Sequence, residues 1–247
     1  MLGWKIFTHA ISMVWRNLYQ ALQIGLVPIV VLTFAAVLLI PMTGMEWGTV
    51  LQDEEISDAI ASGQLNLLAL FALIAVYLVI ITWIFVAWHR YILLEEHPAG
   101  WIPAFRTDRI VAYVLAALRF FAIILGISLV IGILGFVTGG IAFILFLGLA
   151  VVVYRFVPIL PAAAVGQPLS LSESWGATRG STGAIIVMLI LFTIFQIILT
   201  AAIGMVTQIV PFIGVASQMT ISLFLSLVNV SVMTTFYGHY VEKRELR

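Results

Sequence analysis

Long apolar runs, each closed by a short cluster of charged and aromatic residues, organise this chain. The longest lies between Arg179 and Glu242, where sixty-two consecutive positions carry no Asp, Glu, Lys or Arg. A membrane crossing needs about 20 apolar residues for a hydrocarbon core roughly 30 Å thick, so this run is long enough for two crossings with a turn at Pro211–Gly214. The same pattern upstream gives six spans in all, near Leu18–Ile40, Leu65–Trp88, Ile110–Phe136, Ile141–Val165, Gly183–Ile209 and Gly214–Tyr240. Lipid offers no partner to an open backbone group, and the runs lack strict two-residue alternation, so they predict helices. The apolar run Leu18–Ile40 exceeds the h-region of a cleavable signal and is read as a retained first span.

The spans group as three hairpins. Each begins with a Trp-containing amphipathic stretch, Trp4–Asn17, Trp101–Arg109 or Ser172–Gly183, and each second crossing ends in an aromatic and basic cluster. These clusters are Trp88-His89-Arg90-Tyr91, Tyr154-Arg155-Phe156 and Tyr237-Gly238-His239-Tyr240. In the first stretch Leu2, Ile6, Ala10, Met13 and Val14 share one helical face, opposite Lys5, Thr8, His9, Ser12 and Arg16. Such a helix is expected to lie in the headgroup plane. The chain therefore predicts an all-α polytopic membrane protein of one domain, an interfacial helix over 1–17 followed by a six-helix bundle over 18–247.

Composition agrees: 63% of residues are hydrophobic and 9% charged, against about 25% charged in ordinary soluble domains. Net charge is zero, which gives no field for nucleic acid. There is no cysteine, which removes disulfides, thiolate nucleophiles and Cys-based metal sites. Lys and Arg are absent from 17–89, 120–154 and 180–242, which contain all three loops on one side. Positive-inside bias then places both termini in the cytoplasm. The opposite loop Pro41–Gln64 carries Glu46, Asp53, Glu54, Glu55 and Asp58 without a basic residue. A short helix at Asp53–Ser62, with its acids at the positive dipole end, suits it.

Candidate chemistry is sparse. No acid falls within a span, which argues against a transporter coupled through a buried carboxylate. No His-Glu-x-x-His motif, serine triad or phosphate loop is present, and the four histidines are scattered. Neither catalytic residues nor a metal or other cofactor are expected. Arg155 lies fifteen residues beyond the Gly140 turn, about 22 Å along a helix, and Arg119 about 30 Å from Gly139. With Arg179 they form a candidate pocket for an anion such as a lipid headgroup; the alternative is a snorkelling arginine that fixes the end of span four. Glu173 is a candidate ion-pair partner for Arg155. In the last hairpin Thr193, Gln196, Thr200 and Thr207 share a face of span five, and Ser222, Ser226 and Asn229 share a face of span six. These faces read either as hydrogen-bonded helix contacts or as the lining of a wet path.

At the join of spans four and five, Arg155-Phe156-Val157-Pro158-Ile159-Leu160-Pro161-Ala162 runs into Ser172-Glu173-Ser174-Trp175-Gly176-Ala177-Thr178-Arg179-Gly180. This resembles a signature of the YciC-like six-helix prokaryotic membrane proteins, and of the membrane domain attached to some glycerophosphodiester phosphodiesterases. Trp15-Arg16-Asn17-Leu18 with Ala21-Leu22 is similar to the opening of that pattern, and Ser174 stands where the pattern has alanine. The resemblance implies six helices and an inner-membrane location, and little about activity. Nothing in these residues resembles the phosphodiesterase part, so its chemistry is not carried over. The expected function is that of a non-enzymatic accessory, scaffold or assembly factor in the bacterial inner membrane. Its expected associates are membrane lipids and a lateral membrane-protein partner or a second copy of itself. The alternative is a carrier or exporter of a lipid or amphipathic molecule.

Overall fold

A computed structural model describes residues 1–45, 63, 65–138 and 141–246, with side chains described except at 141–144, 147 and 211–220. The acids Glu46, Asp53, Glu54, Glu55 and Asp58, the helix expected at Asp53–Ser62 and the Gly139–Gly140 turn lie outside the described residues. The described residues are all-helical. In chain order they form α1 (Leu2–Arg16), α2 (Leu18–Met42), α3 (Leu67–Leu94), α4 (Thr107–Thr138), α5 (Ile141–Phe156), α6 (Ile159–Val165), α7 (Leu171–Ala177), α8 (Thr182–Ile209) and α9 (Pro211–Phe236), then a π-helical turn at Tyr237–Val241. Six segments are long and apolar enough to cross a membrane.

The helices pair as hairpins, α2 with α3, α4 with α5 and α8 with α9, and α3 further contacts α4, α6 and α9. The helix ends that carry the basic residues gather at one end of the bundle, called the basic end below. Local chemistry sets each boundary. Asn66 caps α3 by accepting the Ala69 amide at 3.2 Å. α3 ends where Glu95 takes a left-handed conformation, φ 55°, and the Glu96 amide reaches back to the Arg90 carbonyl at 3.4 Å.

Span four is not one rod. α5 stops at Phe156, and Pro158 caps the separate helix α6, because proline supplies no amide to continue the ladder. Pro161 sits in the first turn of α6, where the amide would have no intrahelical acceptor. All seven residues of α6 are buried, and α6 packs on α4, α3 and α9. Gly166 closes it at φ 84°. α7 opens with a capping box, Ser170 and Glu173 each bonding the other's backbone amide. The last turn differs from expectation. Val210 alone separates α8 from α9, and Pro211 is the first helical residue rather than part of a loop, where its fixed φ suits a helix start.

α1 is the largest departure. Its stripe of Gly3, Ile6, Phe7, Ala10 and Val14 is buried against protein, not offered to headgroups, and α1 packs along α8 and α9. Leu2 stays exposed and Met13 half-buried, so the expected face is rotated toward Gly3 and Phe7. Glycine permits the contact. A Cβ on Gly3 would lie 2.5 Å from the Ala184 carbonyl oxygen and 2.8 Å from Val187 Cβ. Phe7 meets Phe195 edge to face at 5.8 Å. One residue, Asn17, joins α1 to α2. Its side-chain amide donates to the Met13 carbonyl at 2.7 Å, and its side-chain oxygen accepts the Tyr91 hydroxyl at 2.6 Å.

Gly3→Val is expected to displace α1 and lower thermal stability in detergent by about 1–3 kcal/mol, the usual cost of overpacking a close contact. Gly126→Ala, where an added Cβ meets nothing within 4 Å, serves as the neutral comparison. Equal thermal midpoints for both variants, read by tryptophan fluorescence, would refute close packing of α1 on α8.

Candidate functional site at the basic end

The C-terminal turns of α3 form the hub of the basic end. Trp88 and His89 are both fully buried. The Trp88 indole N–H donates to Ser231 Oγ on α9 at 2.9 Å. Thr234 Oγ1 donates its single proton to the Val230 carbonyl at 2.8 Å, so at His89 it acts as acceptor. His89 Nδ1–H therefore donates to Thr234 Oγ1 at 2.8 Å, and Nε2 accepts the longer contact from the Tyr113 hydroxyl on α4 at 3.5 Å. This proton count assigns a neutral imidazole bridging α4, α3 and α9. The seam satisfies the polar groups that a dry core penalises and offers no open face to a substrate.

Two residues further on, Arg90 lines a cavity of about 320 Å³ with Ile24, Ala87, Ile102, Pro103, His97 and others. The chain reversal that ends α3 returns Glu96 onto Arg90. Arg90 Nε donates to Glu96 Oε2 at 2.8 Å, and Arg90 Nη2 bonds the same oxygen. Arg106 donates to Oε1 from Nε at 3.2 Å and from Nη2 at 3.0 Å. Arg90 Nη1 also reaches the Ala164 carbonyl in the last turn of α6 at 3.1 Å. Partial burial alone would raise the Glu96 pKa. The hydrogen bonds and charges of Arg90 and Arg106 outweigh it and hold the carboxyl below its ordinary value. The triad is ionised and carries a net charge of +1.

The arginines singled out from the sequence divide between two places. The Arg155 guanidinium lies 3.5 Å from the Trp175 ring centroid, and its Nη2 donates to the Trp175 carbonyl at 2.8 Å. Ser174 Oγ donates in return to the Arg155 carbonyl at 2.8 Å, supplying a proton to an acceptor freed by the Pro158 break, and Thr178 Oγ1 gives its single proton to the Ser174 carbonyl at 2.8 Å. Arg179 is exposed and close enough for its charge to act on Arg155. Glu173 is not the ion-pair partner of Arg155 among the described residues. It is held in the α7 capping box, where the Ser170 hydroxyl and then the Ser170 amide lower its pKa. Arg119 lines a different cavity of about 190 Å³ with Ala112, Ala116, Ile159, Ala163 and Leu169.

The polar faces of the last hairpin do not meet. Thr193, Gln196 and Thr200 are exposed on α8, Ser222 is exposed on α9, and Ser226 and Asn229 are half-buried. No hydrogen bond joins Gln196 or Thr200 to Ser222, Ser226 or Asn229 among the described residues. Apolar residues, among them Ile185, Met188, Phe192, Val228 and Phe236, bury into the core instead.

Nothing in the sequence marks Arg90, Glu96 and Arg106 as a unit. Their separations of six and ten residues match no helical spacing, and a left-handed residue at Glu95 is what closes the gap. His89 and His239, each in an aromatic and basic cluster of the sequence, do not come together. The latter bonds the Arg244 carbonyl at 3.1 Å in the C-terminal tail, apart from the His89 seam. A histidine one residue after a tryptophan, with Ser231 and Thr234 three apart on α9, was the available signal.

Removing the Trp88 acceptor by Ser231→Ala is expected to lower stability by about 0.6–1.7 kcal/mol, the range of interhelical hydrogen bonds in membrane proteins. Trp88→Phe combined with Ser231→Ala should show a coupling of that size in thermal midpoints; strictly additive losses would mean that the bond contributes nothing. Compared with known proteins, the chain matches no family model, no curated protein and no solved structure.

Proposed function

We propose that this chain is a non-enzymatic accessory or scaffold subunit of a bacterial inner-membrane assembly, with both termini cytoplasmic. One observation carries the reading. Gln196 lies fourteen residues into α8, about 21 Å from its start, near the middle of a 28-residue span. Its amide is exposed there, with Thr193 and Thr200 on the same face. A carboxamide in hydrocarbon without a partner costs several kcal/mol, and a neighbouring helix that supplies donors and acceptors removes that cost. The exposed stripe therefore suits a lateral partner rather than lipid. The YciC-like pattern at Arg155–Gly180 and the confinement of basic residues to one end support the location and orientation. A second reading, carriage of a lipid or amphipathic molecule, draws on the arginine-lined cavities at the basic end.

In native nanodiscs, a cross-linker placed at the exposed neighbour Ile197 is expected to trap a stoichiometric protein neighbour, and Gln196→Leu with Thr200→Val should abolish that complex while leaving the thermal midpoint unchanged. Retention of the complex by the double variant would remove the stripe as the contact. Orientation is tested separately: impermeant labels should leave cysteines placed near Trp175 and in the C-terminal tail unmodified from the periplasmic side, and reaction at either position would overturn it.

A further inference from the structure

The cavity beside Arg90 combines four features. Its polar floor is the Arg90–Glu96–Arg106 triad, two guanidinium groups held by one carboxylate. Its walls are apolar, with Ile24 from α2, Ala87 from α3, and Ile102 and Pro103 from the 95–106 segment. That segment is pinned rather than loose. Trp101 packs edge to face on Tyr19 of α2 at 6.0 Å, and Phe105 on Trp83 of α3 at 5.1 Å. Finally, Trp101, Ile102 and Phe105 are exposed, at the level where span ends meet headgroups and aromatic residues gather.

The hydrogen bonds show which cation is spare. Arg90 is committed, with Nε and Nη2 on Glu96 and Nη1 on the Ala164 carbonyl. Arg106 uses two of a guanidinium's five N–H donors on Glu96, and its side chain is 51% exposed. Arg106 Nη1 has no acceptor among the described residues. Glu96 thus neutralises one arginine and holds the other by one edge, leaving its remaining donors at a fixed position. Arginine forks of this kind match a phosphate by geometry as well as charge.

We propose that this cavity binds a phosphodiester monoanion, the chemistry of an anionic phospholipid headgroup, with the phosphate on Arg106 and the adjoining carbon chain against Ala87 and Ile102. The net charge of +1 balances one such anion. A zwitterionic headgroup brings its own cation and gains less. The site is separate from the α8 stripe and from Arg155, so it stands or falls independently of the scaffold reading.

The test uses the full chain, delipidated in detergent and titrated with phosphatidylglycerol or phosphatidylcholine, with bound lipid counted by intact mass spectrometry. One phosphatidylglycerol should be retained in clear preference to phosphatidylcholine. Arg106→Ala should weaken that retention about tenfold. Ile102→Asp, an exposed change that brings a second acid to the rim, should weaken it similarly without disturbing the fold. Lys5→Ala, an equal loss of charge at an exposed site on α1, should leave it unchanged. Equal retention of the two lipids, no effect of both cavity variants, or an equal loss in Lys5→Ala would each overturn the proposal. Competition by glycerophosphoglycerol at millimolar concentration separates the sources. Displacement supports a site for the soluble phosphodiester headgroup, and persistence of the lipid supports a site that needs the acyl chains as well.

Discussion

A helix in lipid can stop only where something other than lipid accepts the open ends of its backbone, and this constraint shapes the basic end. The last carbonyls of a helix have no intrahelical donor, and the negative end of the helix dipole lies there. Three arginines meet this need across elements. Arg244 donates to the Leu93 carbonyl at the end of α3 at 2.8 Å, Arg90 to Ala164 at the end of α6, and Arg155 to Trp175 in the last turn of α7. Each guanidinium comes from a different stretch of chain than the helix it caps. The caps therefore fasten elements together as well as satisfying single ends.

The same end holds the short helices that would be untenable at the bilayer centre. α6 is seven residues long and broken from α5 by Pro158. It survives because α3, α4 and α9 enclose it and because Gly166 turns the chain out with its amide and the Gln167 amide on the Ala163 and Ala162 carbonyls at 3.3 and 2.9 Å. The π-helical turn after α9 belongs to this arrangement. It brings the Tyr237 hydroxyl to Gln167 Oε1 at 3.1 Å and lets the tail fold back until Arg244 reaches α3. Toward the opposite end the helices carry large exposed apolar side chains, as a lipid-facing bundle should, and association there relies on close packing rather than on escape from water.

Polar side chains are accordingly sorted by what surrounds them. Some of those beside another helix are paired, as at Trp88–Ser231 and His89–Thr234, whereas the buried Trp83 indole N–H and Tyr240 hydroxyl have no partner among the described residues. Those on the outer face of α8 are not, and Gln196 stands near mid-span without a protein partner among the described residues. Ion pairs sit where water and headgroups begin, with Glu96 between its two arginines.

Span number, span limits to within several residues and the separation of basic from apolar segments were legible from the letters alone, because lipid enforces a length and a composition on any crossing helix. Leu18, Ile141 and Ile209 are boundaries in both the reading and the structure. The rotation of α1 toward Gly3 and Phe7 was not legible, since a stripe of apolar residues on an end helix fits a protein groove as well as a membrane surface. Nor was the Arg90–Glu96–Arg106 triad, or the outward direction of Gln196. Periodicity tells which residues share a face of one helix, but which neighbour that face meets depends on crossing angles and on turns such as Glu95. Those are set by the packing of all the helices together, and they alone decide whether an arginine caps a carbonyl, holds a carboxylate or is left with donors to spare.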